Sequence, residues 1–127
     1  MKTNQEVFDK ACEIFRDKDF KRCVRRSSCL YFNPADSNRC VIGKMMPMSM
    51  AKRVSEDLGV CINTLIKKDI EVAQYFEGVD VDLLDELQDV HDDPTIQSYM
   101  EYKEEVLQKI ATKYNLKYES PESKANL

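Results

Sequence analysis

The spacing of apolar side chains constrains this chain more than any other feature. Val7, Phe8, Ala11, Cys12 and Phe15 recur at three- and four-residue intervals. So do Leu83, Leu84, Leu87 and His91, with Val90 beside them, and then Ile96, Tyr99, Met100, Val106, Leu107, Ile110 and Tyr114. A helix of about 3.6 residues per turn gathers such positions on one face. Each stripe needs a partner to cover it, so helices must pack on helices. With 127 residues, 43% of them hydrophobic and 33% charged, the chain holds enough apolar matter for a single core. The expected domain is residues 1–118, followed by a polar tail, residues 119–127, that should fray.

Two short runs break the helical rhythm. Cys29-Leu30-Tyr31-Phe32 is bulky and aromatic, and Cys40-Val41-Ile42 is β-branched. Between them stand Asn33, Pro34, Ala35, Asp36, Ser37 and Asn38, mostly turn formers. This predicts a β-hairpin, with Gly43 after it at a point of positive φ or close approach. The resulting expectation is an α+β fold, mainly helical, with one short hairpin packed against helices. Residues 21–26 read as either a helical extension or a loop.

Start and stop signals divide the remainder. Asn4 is the expected cap of the first helix. Ser49 should cap a helix carrying Met50, Val54 and Leu58, with Gly59 as its stop. Residues 60–66 suit either a helix or a strand. Asp69 should cap a short helix with Ile70, Ala73 and Phe76 inward, ended by Gly78. Asp80 or Asp82 starts the next helix. Asp93-Pro94 then starts a last helix reaching about Tyr114, in which Glu105 and Lys109 make an i,i+4 pair.

Charge is unevenly divided. Residues 1–53 carry twelve Lys and Arg against six Asp and Glu, whereas residues 54–127 carry seven against seventeen. No Lys or Arg falls between Asp69 and Tyr102. The basic cluster Lys18, Lys21, Arg22, Arg25 and Arg26 offers a phosphate or nucleic-acid surface, or attracts the acidic half within the fold. The acidic run, Glu77 to Asp93, reads first as a solvated face, and less directly as an imitation of a phosphate backbone.

Five cysteines, an odd number, with no apolar leader after Met1, argue for free thiols in a reducing cytosol. No run approaches the ~20 apolar residues that span a bilayer. A soluble protein of the cytoplasm is expected. There is no C-x-x-C pair, and a Cys23/Cys29/Cys40/His91 zinc site lacks the close ligand spacing such sites use. No Gly-rich phosphate loop, G-x-S-x-G or H-E-x-x-H occurs. His91-Asp92 is the one pair that invites chemistry. With Asp89 it could ligate a divalent metal; with Cys29 or Cys40 it could make a nucleophilic pair. The plainer reading makes His91 a structural side chain at the end of a helix. Met45, Met46, Met48 and Met50 form either an adaptable apolar edge or core filling.

Three blocks in order, Arg39-Cys40-Val41-Ile42-Gly43-Lys44-Met45-Met46-Pro47, Leu87-Gln88-Asp89-Val90-His91-Asp92 and Ile110-Ala111-Thr112-Lys113-Tyr114-Asn115-Leu116, resemble a small protein family of bacteriophages and prophages. The resemblance spans about residues 29–116 and departs after Pro47, where Met48-Ser49-Met50 replaces acidic residues. It implies a context, an accessory protein inside a bacterial host cell, and no particular reaction. The sequence therefore points to a non-enzymatic protein that binds a host protein or a small phosphate-bearing ligand. It gives no reason to expect a cofactor, a resident metal or a membrane. The candidate contacts are Arg22, Arg25, Arg26, Arg39, Lys44, Met45, Met48, His91 and Asp92. A metal-dependent hydrolase or nuclease using Asp89, His91 and Asp92, and a nucleotide or nucleic-acid binder using Arg22, Arg25, Arg26, Arg39 and Lys44, are the alternatives.

Overall fold

A computed structural model describes residues 2–25, 28–29, 31–55 and 61–121. The described helices are α1 (Asn4–Arg16), α2 (Val41–Met45), α3 (Met48–Ser55), α4 (Ile62–Lys68), α5 (Ile70–Tyr75), α6 (Val81–Asp92), α7 (Pro94–Ser98) and α8 (Met100–Lys113). The centre is α6, which meets α1, α2, α4, α7 and α8. Its Leu83, Leu84 and Leu87 are fully buried, among Phe8 and Phe15 of α1, Ile42 of α2, Ile62 of α4 and Leu107 of α8. The stripes read from the sequence therefore converge on one core.

The α+β expectation is wrong: the fold is helical. The only β-type pairing among the described residues joins Val24 to Cys29 and Arg25 to Ser28. Two residues a side make no layer on which helices could pack. The predicted ribbon fails for identifiable reasons. Residues 33–38 do turn back, with the Asn33 N–H donating to the Asn38 carbonyl at 2.8 Å. The Phe32 N–H, however, donates to the Ser55 hydroxyl at 2.6 Å and not to a neighbouring strand. Beyond the turn, Cys40 caps α2, its thiol accepting the Gly43 N–H at 3.3 Å. Val41 and Ile42 are thus helical against their β-branched preference, held by complete burial. At the other end of α2, Arg39 Nη1 donates to the Gly43 and Met46 carbonyls at 3.3 Å each, and the Tyr75 hydroxyl donates to the Met45 carbonyl at 2.7 Å. Side chains supply the end partners that a five-residue helix cannot supply for itself.

Gly43 has a defined steric task. A Cβ there would lie 2.1 Å from the Tyr31 carbonyl oxygen. The close approach expected of Gly43 is to the Tyr31 backbone.

Other boundaries shift for local reasons. Thr3, not Asn4, caps α1, its hydroxyl accepting the Glu6 N–H at 3.1 Å. The Asn4 side chain instead accepts the Asp80 N–H at 2.7 Å, tying α1 to the start of α6. The helix assigned to start after Ser49 begins at Met48, one residue past Pro47; Leu58 and Gly59 lie outside the described residues. Of the ambiguous stretch 60–66, residue 60 lies outside the described residues and the rest is helical from Ile62, with Ile62 and Leu65 buried. Asp69 does cap α5, but that phase buries Val72 and Phe76 and leaves Ile70 73% exposed. Gly78, at φ 90°, makes the left-handed turn after α5. The last helix is two. Ser98 donates its hydroxyl to the Pro94 carbonyl at 2.6 Å, Tyr99 is extended, and α8 begins afresh at Met100. Among the ion pairs of the described residues there is none between Glu105 and Lys109.

Candidate functional site

Residues 20–23 are clipped to the C-terminal end of α6 through His91. The ring is fully buried. Its Nε2 accepts the Cys23 backbone N–H at 3.0 Å. That leaves the ring proton on Nδ1, which donates to Asp92 Oδ1 at 2.7 Å. The Gln88 amide donates to the same carboxylate oxygen at 2.9 Å. Arg22 Nη1 donates to the Asp92 carbonyl at 2.8 Å. Phe20 stands edge-on to the imidazole, 5.8 Å between centroids, and Lys44 Nζ lies 5.4 Å from the Phe20 ring centre.

The α6 spacing assembles this cluster. Gln88, His91 and Asp92 fall at i, i+3 and i+4, so one turn presents all three together. The 20–23 segment has no helix of its own, and its polar groups find partners elsewhere. The Cys23 thiol donates to the Asn38 carbonyl at 3.3 Å, and the Asn38 amide donates to the Lys21 carbonyl at 3.1 Å. Burial pushes the Cys23 thiol up to about 12, with the Cys40 and Asp36 charges adding to it. At neutral pH it is a thiol and a poor nucleophile.

The candidate residues divide accordingly. Arg22, His91 and Asp92 are joined by hydrogen bonds, and the Phe20 ring meets both His91 and Lys44. Arg39 is engaged with the end of α2, and Met45 and Met46 are core side chains. The methionine edge is reduced to Met48, 40% exposed, with Met50 partly buried. Arg26 and the Arg25 side chain lie outside the described residues. Among the described residues no group of three His, Cys, Asp or Glu side chains is placed to hold a metal ion. Asp89 faces other carboxylates instead: burial raises its pKa, and Asp85, Asp92 and Glu86 raise it further.

A second polar cluster had no motif to announce it. Arg16 forks onto Glu104, Nε to Oε2 at 3.0 Å and Nη2 to Oε1 at 2.6 Å. The Tyr118 hydroxyl donates to Glu104 Oε1 at 2.8 Å, and the Arg16 guanidinium lies 5.7 Å from the Tyr118 ring centre. Burial opposes the Glu104 charge, yet the Arg16 and Tyr118 hydrogen bonds hold its pKa below the usual carboxylate value. Lys103, buried beside them, donates to the Phe15 carbonyl at 2.5 Å, and burial lowers its pKa. The hydrogen-bonded partners lie 14 to 88 residues apart, a separation that carries no local signature.

Beside this second cluster, and sharing Glu104 and Tyr118 with it, α8 and the segment after it line an open depression of about 890 Å³. Compared with protein-family models, with curated proteins and with solved structures, the chain matches none of them. Among the described residues no helix is long and apolar enough to cross a membrane.

Proposed function

We propose that this is a small binding protein without catalytic chemistry of its own, an accessory protein that acts in the cytoplasm of a bacterial host cell by engaging a host protein. The bacterial setting follows from the resemblance of its three sequence blocks to phage and prophage proteins. One observation carries the rest: both nitrogens of the only histidine are engaged inside the fold. A general base or a ligand needs a free lone pair, and the Nε2 lone pair takes the Cys23 N–H. Using it would release that amide within the core.

Small-ligand binding and phosphate recognition receive less support than protein binding. Arg22 and Arg39 are directed at backbone carbonyls, and Lys44 rests near an aromatic ring.

Affinity capture from bacterial lysate tests the proposal. One host protein at stoichiometric yield is the expected result. A bait that captures nothing, but cleaves a phosphoester in a chelator-sensitive way, would replace the proposal with metal-dependent hydrolysis.

A further inference from the structure

The depression on the outer side of α8 combines aromatic rings with carboxylates. Tyr99 is 64% exposed and Tyr102 45%, two of the few large apolar side chains exposed on the described surface. Glu101 and Glu105, one turn apart on the same helix, line it with them. Among the described residues neither glutamate has an ion-pair partner, and no Lys or Arg lines the depression. Like charges four residues apart work against a helix. Exposed tyrosines gain nothing for the fold by facing water.

The inner wall shows what such a surface accepts. Glu104 and Tyr118 belong to the same depression, and they already hold one guanidinium, that of Arg16. Carboxylate oxygens take its N–H fork while a ring face lies beside its plane. Tyr102 and Glu105 repeat the two ingredients on the solvent side, without the cation.

We infer that this face is a docking groove for an arginine-bearing basic segment of a partner protein. The inference rests on the reading of the chain as a binding protein and names the surface and the partner's chemistry. Charge complementarity selects the occupant: an acidic or purely apolar segment would leave Glu101 and Glu105 desolvated without compensation. Arginine fits better than lysine because its planar fork meets a carboxylate and an aromatic face at once.

The test is titration of the full chain with a short arginine–glycine peptide, followed by tyrosine fluorescence and calorimetry. Tyr102→Ala, and the double variant Glu101→Gln/Glu105→Gln, should each weaken binding by about tenfold or more, and an otherwise identical lysine–glycine peptide should bind more weakly than the arginine one. The control is Asp85→Asn/Asp89→Asn, which removes as much charge from α6; it should change affinity less than about threefold, as expected for a remote screened charge. Failure of the peptide to bind the wild-type chain overturns the inference. So does equal weakening by the α6 control, which would mean diffuse attraction to an acidic protein. Self-association abolished by Tyr102→Ala would make the occupant a second copy and also overturn it. Lysate capture separates this claim from the broader one: a host protein retained undiminished by Tyr102→Ala removes the groove and leaves the binding role standing.

Discussion

At the end of α6, ring nitrogens, carboxylate, amide and guanidinium are hydrogen-bonded to one another and to backbone groups. On the outer face of α8, carboxylates and aromatic rings, Glu101, Glu105, Tyr99 and Tyr102, are exposed, and among the described residues no Lys or Arg lines the depression they share. The first region holds the residues that a motif reading selects, and they act as fasteners. The second holds residues that no motif marks, and they are the ones left available. The difference shows that reactive residue types do not define a site. What matters is whether folding has already consumed their hydrogen-bonding capacity.

Substitutions in the fastened region should be costly, and the largest effect belongs to Gly43→Ala. The added Cβ would sit 2.1 Å from the Tyr31 carbonyl oxygen. That neighbour is backbone and cannot rotate aside, so α2 or the 31–32 segment must move. We expect a loss upwards of about 3 kcal/mol, at the top of the range for overpacking. Urea unfolding with an unchanged midpoint would show that the approach is looser than described.

His91→Ala comes next. It orphans the Cys23 N–H and leaves a ring-sized void, together about 2–3 kcal/mol. His91→Gln offers an amide oxygen that can accept the same N–H and should recover part of the loss. If both variants melt like the wild type, the imidazole is not a fastener, and the contrast between the two regions fails.

The legibility of these features followed the range of the interactions. Helical stripes are local, so the core faces of α1 and α6 and the inward Leu107 and Ile110 of α8 can be read directly, whereas Tyr99, expected on that inner face, is 64% exposed because it lies in the extended break before α8; the caps Asp69, Asp80 and Asp93 act as the sequence suggests. His91 likewise reads as structural from its place on the α6 stripe, though no local pattern names its partner, the Cys23 backbone N–H. Residues 40–42 are not legible as helix from their β-branched composition, because the Arg39, Cys40 and Tyr75 side chains that satisfy the ends of α2 carry no local pattern. The break between α7 and α8 is equally silent, since Ser98 and Tyr99 carry no strong stop signal. Arg16, Glu104 and Tyr118 could not be matched at all, since nothing local couples residues so far apart.

Glu104 gives a smaller, pH-dependent effect. Its folded pKa lies below the ordinary value of 4.5. The folded state therefore binds fewer protons than the unfolded chain in that window, and stability rises with pH there. The contribution is complete above about pH 5 and disappears as pH falls through the folded pKa. Glu104→Gln should remove that part of the acid sensitivity and lower stability at neutral pH by about 1–1.5 kcal/mol, less than for a deeply buried pair. A variant whose stability falls with acid as steeply as the wild type's would place the acid sensitivity in other carboxylates.

The smallest expected effect decides whether the α8 face is truly uncommitted. Tyr102 makes no hydrogen bond among the described residues, and its ring is substantially exposed. Tyr102→Ala should therefore shift unfolding by no more than about 0.5 kcal/mol in either direction, as for surface positions generally. Glu105→Gln relieves the repulsion from Glu101 one turn away and should stabilise by a few tenths, about 0.2–0.5 kcal/mol at low salt, fading as salt is added. Gains and losses of that size are measurable by denaturant titration of both variants beside the wild type. A loss of about 2 kcal/mol for Tyr102→Ala, comparable to that of a core side chain, would make the ring part of the packing and erase the distinction between a fastened region and an available one.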